Sequence, residues 1–143
     1  MIGFRMLKIQ VEQFAILGNN MPNGDVSFNT SLSFGVNPSV AGVRVTTKYE
    51  LVSNDEKLVI LELSCIFEIY KESWDKLHVD GKIILPKDFL SHLAMHSVGT
   101  ARGILFAKTE SSVFNQFILP PINIAERITE DIAFDVPTEQ ISE

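Results

Sequence analysis

Apolar and polar residues alternate with a period of two through the first half of the chain, which predicts β-strands with one apolar face. From Val26 to Val36 every second residue is apolar or threonine, and the residues between are Ser, Asn or Gly. The alternation resumes from Val43 to Leu51 and from Leu58 to Tyr70. Because the connections are short, whereas parallel neighbours need long crossovers, the strands are expected to form an antiparallel sheet.

The first predicted strand, Leu7 to Ile16, changes phase along its length. Its apolar residues are odd-numbered as far as Val11 and even-numbered from Phe14 onwards. A bulge near Glu12 is the simplest way to keep both sets on one side of the sheet. The sequence therefore predicts four antiparallel strands, the first of them bent, with an apolar face that needs a cover.

A long helix after Pro86 is expected to provide that cover. Its apolar residues recur at steps of three and four: Phe89, Leu90, Leu93, Ala94, Val98, Ala101, Ile104 and Leu105. Asp88 suits the positive end of the helix dipole and is a candidate cap for the first turn. Gly99 and Gly103 lie in the middle of this helix, where each costs about 1 kcal/mol relative to Ala. We expect close approach of another backbone, such as a helix of a second subunit, to compensate.

The run from Gln116 to Ile124, QFILPPINI, is termed the strap. Pro120 and Pro121 cannot donate backbone hydrogen bonds, so the strap is predicted to be an extended, packed connector rather than an interior strand or helix. After it, isoleucines at four-residue steps predict a short second helix that ends by Phe134. The fold class is therefore α+β: a single domain over residues 1–136, and an acidic tail over residues 137–143 predicted to be disordered.

Composition narrows the function classes. The 143 residues with 45% hydrophobic content suit one domain with one core. A net charge of −6 with scattered basic residues argues against nucleic acid as a partner. The single cysteine, Cys65, excludes an intramolecular disulfide and suits a reducing compartment. We find neither a signal peptide nor an apolar run of membrane-spanning length, so the expected location is the cytoplasm, without membrane insertion.

Candidate catalytic and metal-binding residues are few. His92 and His96 have the i, i+4 spacing of a metal-binding pair, but Leu93 stands where a zinc protease helix carries glutamate, and no further ligands lie nearby in sequence. We interpret them as residues of a subunit contact. Cys65 falls on the apolar phase of a strand, where burial disfavours the reactive thiolate. With no phosphate-binding glycine loop either, the sequence predicts no enzyme and no cofactor.

The segment from Ala101 to Ile124, ARGILFAKTESSVFNQFILPPINI, resembles the SecB family of protein-export chaperones. The specific part is Arg102 in the helix, followed by Pro121, Ile122 and Asn123 in the strap. The resemblance implies an ATP-independent holdase that binds unfolded polypeptides for export, built as a homotetramer, a dimer of dimers. The same fold would also suit a dedicated chaperone of an antitoxin. A rival class is a non-chaperone assembly protein whose apolar faces are all consumed by subunit contacts.

The resemblance also implies the residues of a client-binding groove, which would be formed by Met21, Val26, Phe28, Leu32, Phe34, Ile128, Ile132 and Phe134. The candidates for an oligomer interface all lie on the long helix: His92, His96, Gly99, Arg102 and Gly103. The tail lacks the basic or cysteine/histidine features expected for docking on the SecA motor, so SecA is left open as a partner.

Overall fold

The computed structural model of this chain describes residues 1–136, so the predicted disordered tail lies outside the described residues. Four long strands form one antiparallel sheet in the order β1-β4-β3-β2. Their bounds are β1 Phe4–Ile16, β2 Val26–Asn37, β3 Gly42–Ser53 and β4 Glu56–Ile69. The predicted sheet is confirmed, and the order leaves β1 and β2 as its two edges.

The predicted bend of β1 is confirmed, because the register shifts by one residue between Val11 and Gln13. A second shift near Leu7 was not predicted. Ile9 and Val11 pair with the fully buried Cys65 and Leu63, and opposed residues of an antiparallel pair point to the same side. The two bulges therefore keep most apolar residues of β1 on the core side of a bent strand, whereas Leu7, at the first bulge, has no partner in the ladder and is exposed.

The remaining elements surround the core side. Apart from short 3₁₀ turns at Pro38–Val40 and Val113–Gln116, they are α1 Lys71–Lys76, β5 His78–Val79, β6 Lys82–Leu85, α2 Lys87–Lys108, α3 Ile124–Arg127 and β7 Ile132–Asp135. The three short strands form a second sheet in the order β5-β6-β7. Neither α1 nor this small sheet was predicted, because their segments are too short to show a clear period.

Helix α2 is the predicted cover of the main sheet, packing on β3 and β4. Its buried face is Phe89, Leu90, Leu93, Ala94, Ser97, Val98, Ala101 and Leu105. Ile104 was expected on that face and is only half-buried. The α+β class, with a four-stranded sheet covered on one face by a long helix and short helices, is therefore confirmed. Within residues 1–136, no helix is both long and apolar enough to cross a membrane.

The first turn of α2 is capped by a residue distant in sequence. Pro86 occupies the cap position and offers no side-chain hydrogen bond. Instead, the backbone N–H of Lys87 donates to the Asp131 carboxylate at 2.9 Å. Asp88 was the expected cap, and that expectation is wrong. Because Asp131 lies just before β7, this bond also fixes the start of β7 against the first turn of the long helix.

The second helix is shorter than predicted. Helix α3 is a single turn that ends at Arg127, and Ile132–Asp135 is strand β7 instead of helix. β7 pairs with β6, where Ile132 opposes Leu85 and Phe134 opposes Ile83. The four-residue spacing of the isoleucines predicted a helix, but pairing with a strand about 50 residues earlier determines the structure.

The strap is extended, as predicted, and free of helix and strand from Phe117 to Asn123. Arg102 of α2 holds it, donating from Nε to the Leu119 carbonyl at 2.9 Å and from Nη2 to the Pro120 carbonyl at 3.3 Å. Leu119 is buried. The strap thus runs from the end of α2 back over the core. It places α3 beside β2, where Arg127 of α3 contacts Thr30.

Candidate functional site

A cleft of about 390 Å³ lies between the edge strand β2 and the segment that follows α3. Its apolar lining is Leu32, Phe34, Ile128 and Ile132. Its polar lining is Ser33, Arg127, Thr129 and Glu130. β2 supplies one wall because its even-numbered side chains point to the core side, and the turn from α3 to β7 supplies the other. We call this cleft the groove.

The edge of β2 beside the groove is occupied by one side chain. Nη1 of Arg127 donates to the backbone carbonyl of Thr30 at 3.0 Å. Arg127 is exposed, whereas the flanking Ile124 and Ile128 are buried. The guanidinium therefore covers a backbone acceptor on the edge of the sheet, one residue pair away from the apolar lining.

Hydroxyl groups line the core beneath this edge. Thr30 opposes Tyr49, and Thr47 opposes Leu32, in the β2–β3 ladder. The side-chain oxygens of Thr30, Thr47, Tyr49 and Ser53 are buried, and among the described residues none has a partner with hydrogen-bond geometry. Burial raises the pKa of Tyr49, and the Thr47 hydroxyl, which lies near but outside hydrogen-bond geometry, offsets only part of this effect. The core behind the groove therefore contains a cluster of buried hydroxyls.

Four of the eight residues predicted for a groove meet in this cleft: Leu32, Phe34, Ile128 and Ile132. Val26 and Phe28 lie on the same side of β2, half-buried, but outside the lining. Phe134 belongs to the small sheet, and Met21 lines a separate cleft of about 270 Å³ formed largely by the loop before β2. The cleft thus brings together half of the predicted set, and Met21 lies elsewhere.

The polar lining of the groove was not predicted from the sequence. The missed residues are Ser33, Arg127, Thr129 and Glu130. Residues 124–134 were interpreted as one helix, and a helix would have pointed the last three of these side chains in different directions. The β-favouring run at Ile132–Asp135, opposite the apolar Ile83–Leu85 run, is the signal that could have shown the turn.

A second uncovered apolar surface lies on the opposite edge of the sheet. One part is a stripe along α2 at three- and four-residue steps: His92, Met95, His96, Gly99, Gly103 and Phe106, all exposed. The other part is Ile9 and Val11 of β1, which are 47% and 39% exposed although they point to the core side. α2 contacts β1 at Phe4, and again at Phe14 through Lys108, but leaves Ile9 and Val11 uncovered. We call the stripe with these two residues the α2–β1 surface.

The residues predicted for an oligomer interface divide between two environments. The imidazoles of His92 and His96 stack at a centroid distance of 4.9 Å, and both meet the edge of Phe4. A Cβ added at Gly99 or Gly103 would meet no atom within 4 Å inside the subunit. Arg102, by contrast, is half-buried and holds the strap. The subunit itself therefore offers no packing reason for the two glycines.

Other chemistry is limited in the part of the chain that the structure describes. Over residues 1–136, no group of three or more His, Cys, Asp or Glu side chains is arranged to hold a metal ion. Cys65 is fully buried, and burial raises the pKa of its thiol. Its thiolate is therefore disfavoured, which makes the sulfur a poor nucleophile.

Comparison with known proteins gives a likeness of fold. No protein-family model matches the sequence, and no curated protein matches it. The fold matches the Mycobacterium tuberculosis Rv1957 SecB-like chaperone, solved in complex with a ChAD peptide from the Rv1956 HigA1 antitoxin. The TM-score is 0.53 at 10% identity, over 83% of this chain and 90% of that chain. A Streptococcus agalactiae protein of unknown function aligns at a TM-score of 0.41 and 12% identity, over 85% and 98% of the two chains. The chain thus has the fold of a SecB-like chaperone.

Proposed function

We propose that this protein is an ATP-independent holdase chaperone that binds unfolded polypeptide segments in the groove. The observation that carries the proposal is the groove itself: apolar side chains from Leu32, Phe34, Ile128 and Ile132 beside the free edge of a sheet. The SecB-like fold supports the assignment. In line with the resemblance to the SecB family, the clients would be unfolded preproteins awaiting export, and the chaperone would act in the cytoplasm.

The physical basis is burial of apolar side chains that an unfolded chain exposes to water. Each such side chain that enters the groove is removed from solvent, which favours binding without any covalent step or nucleotide. An extended segment also has free backbone groups, which an edge strand can satisfy. Release then follows from mass action as the client folds or is transferred.

A second candidate function is that of a dedicated chaperone of an antitoxin. The observation in its favour is that Rv1957, whose fold this chain shares, was solved with a peptide from an antitoxin. The same groove would serve either role, and the two differ in the client's identity. Binding to one short segment of a single protein, with no general suppression of aggregation, would favour the antitoxin role.

We also propose that the subunits assemble into a homotetramer through the α2–β1 surface. The exposed stripe of α2 and the uncovered apolar side chains of β1 support this, since contiguous apolar patches on soluble proteins mark interaction sites. Of the residues predicted for the interface, His92, His96, Gly99 and Gly103 lie in the stripe, and Arg102 would contribute through the strap it holds. SecA remains open as a further partner.

Substitutions in the groove test the holdase proposal. In the Leu32→Asn, Phe34→Asn double variant, suppression of aggregation of a chemically unfolded model protein is expected to be lost while the oligomer mass is unchanged. Light scattering provides the mass, and turbidity the suppression. Val40→Asn is the matched control, because Val40 is 53% exposed in the turn after β2 and lies outside the groove.

The rival to exclude is an assembly protein without a client. If the wild-type oligomer fails to suppress aggregation and a dye for exposed apolar surface does not bind to it, the groove is covered in the assembly and the holdase proposal is wrong. Unchanged suppression by the double variant, with Val40→Asn behaving as wild type, would contradict the location of the site.

A further inference from the structure

We propose that Arg127 is a gate on the edge of β2, and that an extended client segment displaces it when the segment adds to the main sheet as a fifth strand. This inference rests on the proposed function, because it assigns a binding mode and a regulating residue to the same groove. The contact that carries it is the hydrogen bond from Arg127 Nη1 to the Thr30 carbonyl, 3.0 Å long.

The hydrogen bond indicates which backbone groups of β2 are available. In an antiparallel ladder, residues alternate between those whose N–H and C=O point to the neighbouring strand and those whose groups point away. The Thr30 carbonyl accepts from a side chain outside the sheet, which indicates that it points away from β3. By the same alternation, Leu32 and Phe34 have outward backbone groups, and their side chains line the groove. The even-numbered residues of β2 thus provide both the backbone groups available for pairing and the apolar side chains of the groove wall.

Arg127 has the properties of a displaceable cover. It is exposed, and its acceptor is a neutral carbonyl. None of the ion pairs within residues 1–136 involves it. Its neighbours Ile124 and Ile128 are buried and hold the backbone of α3 in place. The side chain can therefore swing away without unfolding the helix, and the loss of a single solvent-exposed hydrogen bond costs little.

The ligand that fits is an extended segment of unfolded polypeptide. Such a segment combines apolar side chains with unpaired backbone N–H and C=O groups, whereas a folded protein has paired most of its own. Exposed sheet edges are also prone to pair with other chains, and proteins commonly cover them with charged side chains. Arg127 would keep the edge of the empty chaperone covered, so that only a ligand with free backbone groups replaces it.

Substitutions at Arg127 test the gate. The probe is a capped, fluorescent peptide of alternating valine and serine, without charged side chains, so that a change in charge at position 127 does not itself alter affinity. Arg127→Met and Arg127→Ala should each bind it about two- to tenfold more tightly, the value of one net hydrogen bond. Arg127→Lys is the matched control and should bind as wild type, since an ammonium group can also donate to the carbonyl. Equal or weaker binding by both uncharged variants would overturn the gate.

Backbone methylation tests strand addition on the wild-type protein, independently of any variant's folding. Strand addition uses the N–H groups of alternate residues only. N-methylation of every valine and N-methylation of every serine should therefore differ, with one peptide losing binding at least tenfold and the other retaining it. Loss of binding when the valines are methylated indicates antiparallel addition, and loss of binding when the serines are methylated indicates parallel addition. Equal effects of the two methylations would overturn strand addition.

Failure of the gate and failure of the proposed function give different results. If wild type, Arg127→Met and Arg127→Ala all fail to bind the unmethylated peptide and all fail to suppress aggregation, the holdase proposal itself is wrong. If wild type binds and suppresses aggregation while the uncharged variants gain no affinity, only the gate is wrong. Thermal unfolding of each variant, compared with Arg127→Lys, shows whether α3 remains in place.

Discussion

At the residue scale, the most unusual feature is the buried hydroxyl of Tyr49. A buried polar group without a partner costs about 1–3 kcal/mol. Among the described residues, the side-chain oxygens in this state all lie in the adjacent strands β2 and β3: Thr30 Oγ1, Thr47 Oγ1, Tyr49 Oη and Ser53 Oγ. Ordinary core packing would favour apolar residues at these places. We therefore expect the cluster to lower the stability of the sheet at the edge where the groove lies.

We predict that Tyr49→Phe leaves stability unchanged or raises it at neutral pH, because the variant removes an unsatisfied hydroxyl while keeping the ring. Burial raises the pKa of Tyr49 above its ordinary value of 10.0. Below pH 10 both states are protonated; above it the unfolded chain ionises first, so stability falls by up to about 1.4 kcal/mol for each pH unit until the folded pKa is reached. Tyr49→Phe should lose less stability than wild type between pH 10 and 11.

Urea unfolding followed by the fluorescence of Trp74, at pH 7, 9, 10 and 11, measures both effects. Cys65 is the internal reference, since burial also raises the pKa of its thiol from 9.0, and its contribution to the loss begins about one pH unit lower in wild type and variant alike. A loss of more than about 1 kcal/mol on Tyr49→Phe at pH 7 would show that the hydroxyl is well satisfied.

At the element scale, α2 has two faces of different character. Its buried face covers β3 and β4, and its exposed stripe contains Gly99 and Gly103 in the helix interior. Glycine there lowers helix stability and contributes no contact within the subunit. A helix that only covered the sheet would gain from alanine at both positions. The glycines are therefore best explained by a surface that another backbone approaches.

We predict opposite effects of Gly99→Ala and Gly103→Ala on the subunit and on the assembly. Each should stabilise the dissociated subunit by about 0.5–1 kcal/mol, because no atom within 4 Å would clash with the new methyl group. Each should weaken association, seen by light scattering as a lower mass on dilution. Gly35→Ala is the control: it too meets no atom within 4 Å, but it lies in β2, so it should leave the mass unchanged. An unchanged mass for both α2 variants would argue against close packing of this stripe.

At the scale of the whole molecule, the parts predictable from sequence are those determined locally. The alternation in the four strands, the phase change near Glu12 and the prolines of the strap each reflect neighbouring residues. The parts that were missed depend on distant partners. Ile132 has helical spacing to Ile128 but pairs with Leu85, and Asp131 caps a helix that starts 44 residues earlier. The groove was half predicted for this reason: Leu32, Phe34, Ile128 and Ile132 were among the residues that the family resemblance implied, whereas Arg127 and the turn after it depend on that long-range pairing.

The two uncovered surfaces lie at opposite edges of one sheet, so assembly and client binding should be separable. Ile9→Asn with Val11→Asn should leave the subunit folded, since both side chains are already partly exposed, while the oligomer dissociates towards the 16.0 kDa subunit. The groove would remain intact because β1 and β2 are separated by two strands. Peptide binding per subunit should therefore persist, and binding of an apolar-surface dye should rise as the buried interface becomes exposed.

Val79→Asn is the control for that double variant, because Val79 is 47% exposed in β5, outside both surfaces, and its replacement should change neither mass nor binding. An undiminished mass in the β1 double variant would mean that copies associate through another face. Loss of peptide binding together with dissociation, in subunits that still unfold cooperatively, would mean that the groove is completed by a neighbouring copy. The proposed division of the sheet into an assembly edge and a client edge makes both results unexpected, since β3 and β4 keep the two edges apart within each subunit.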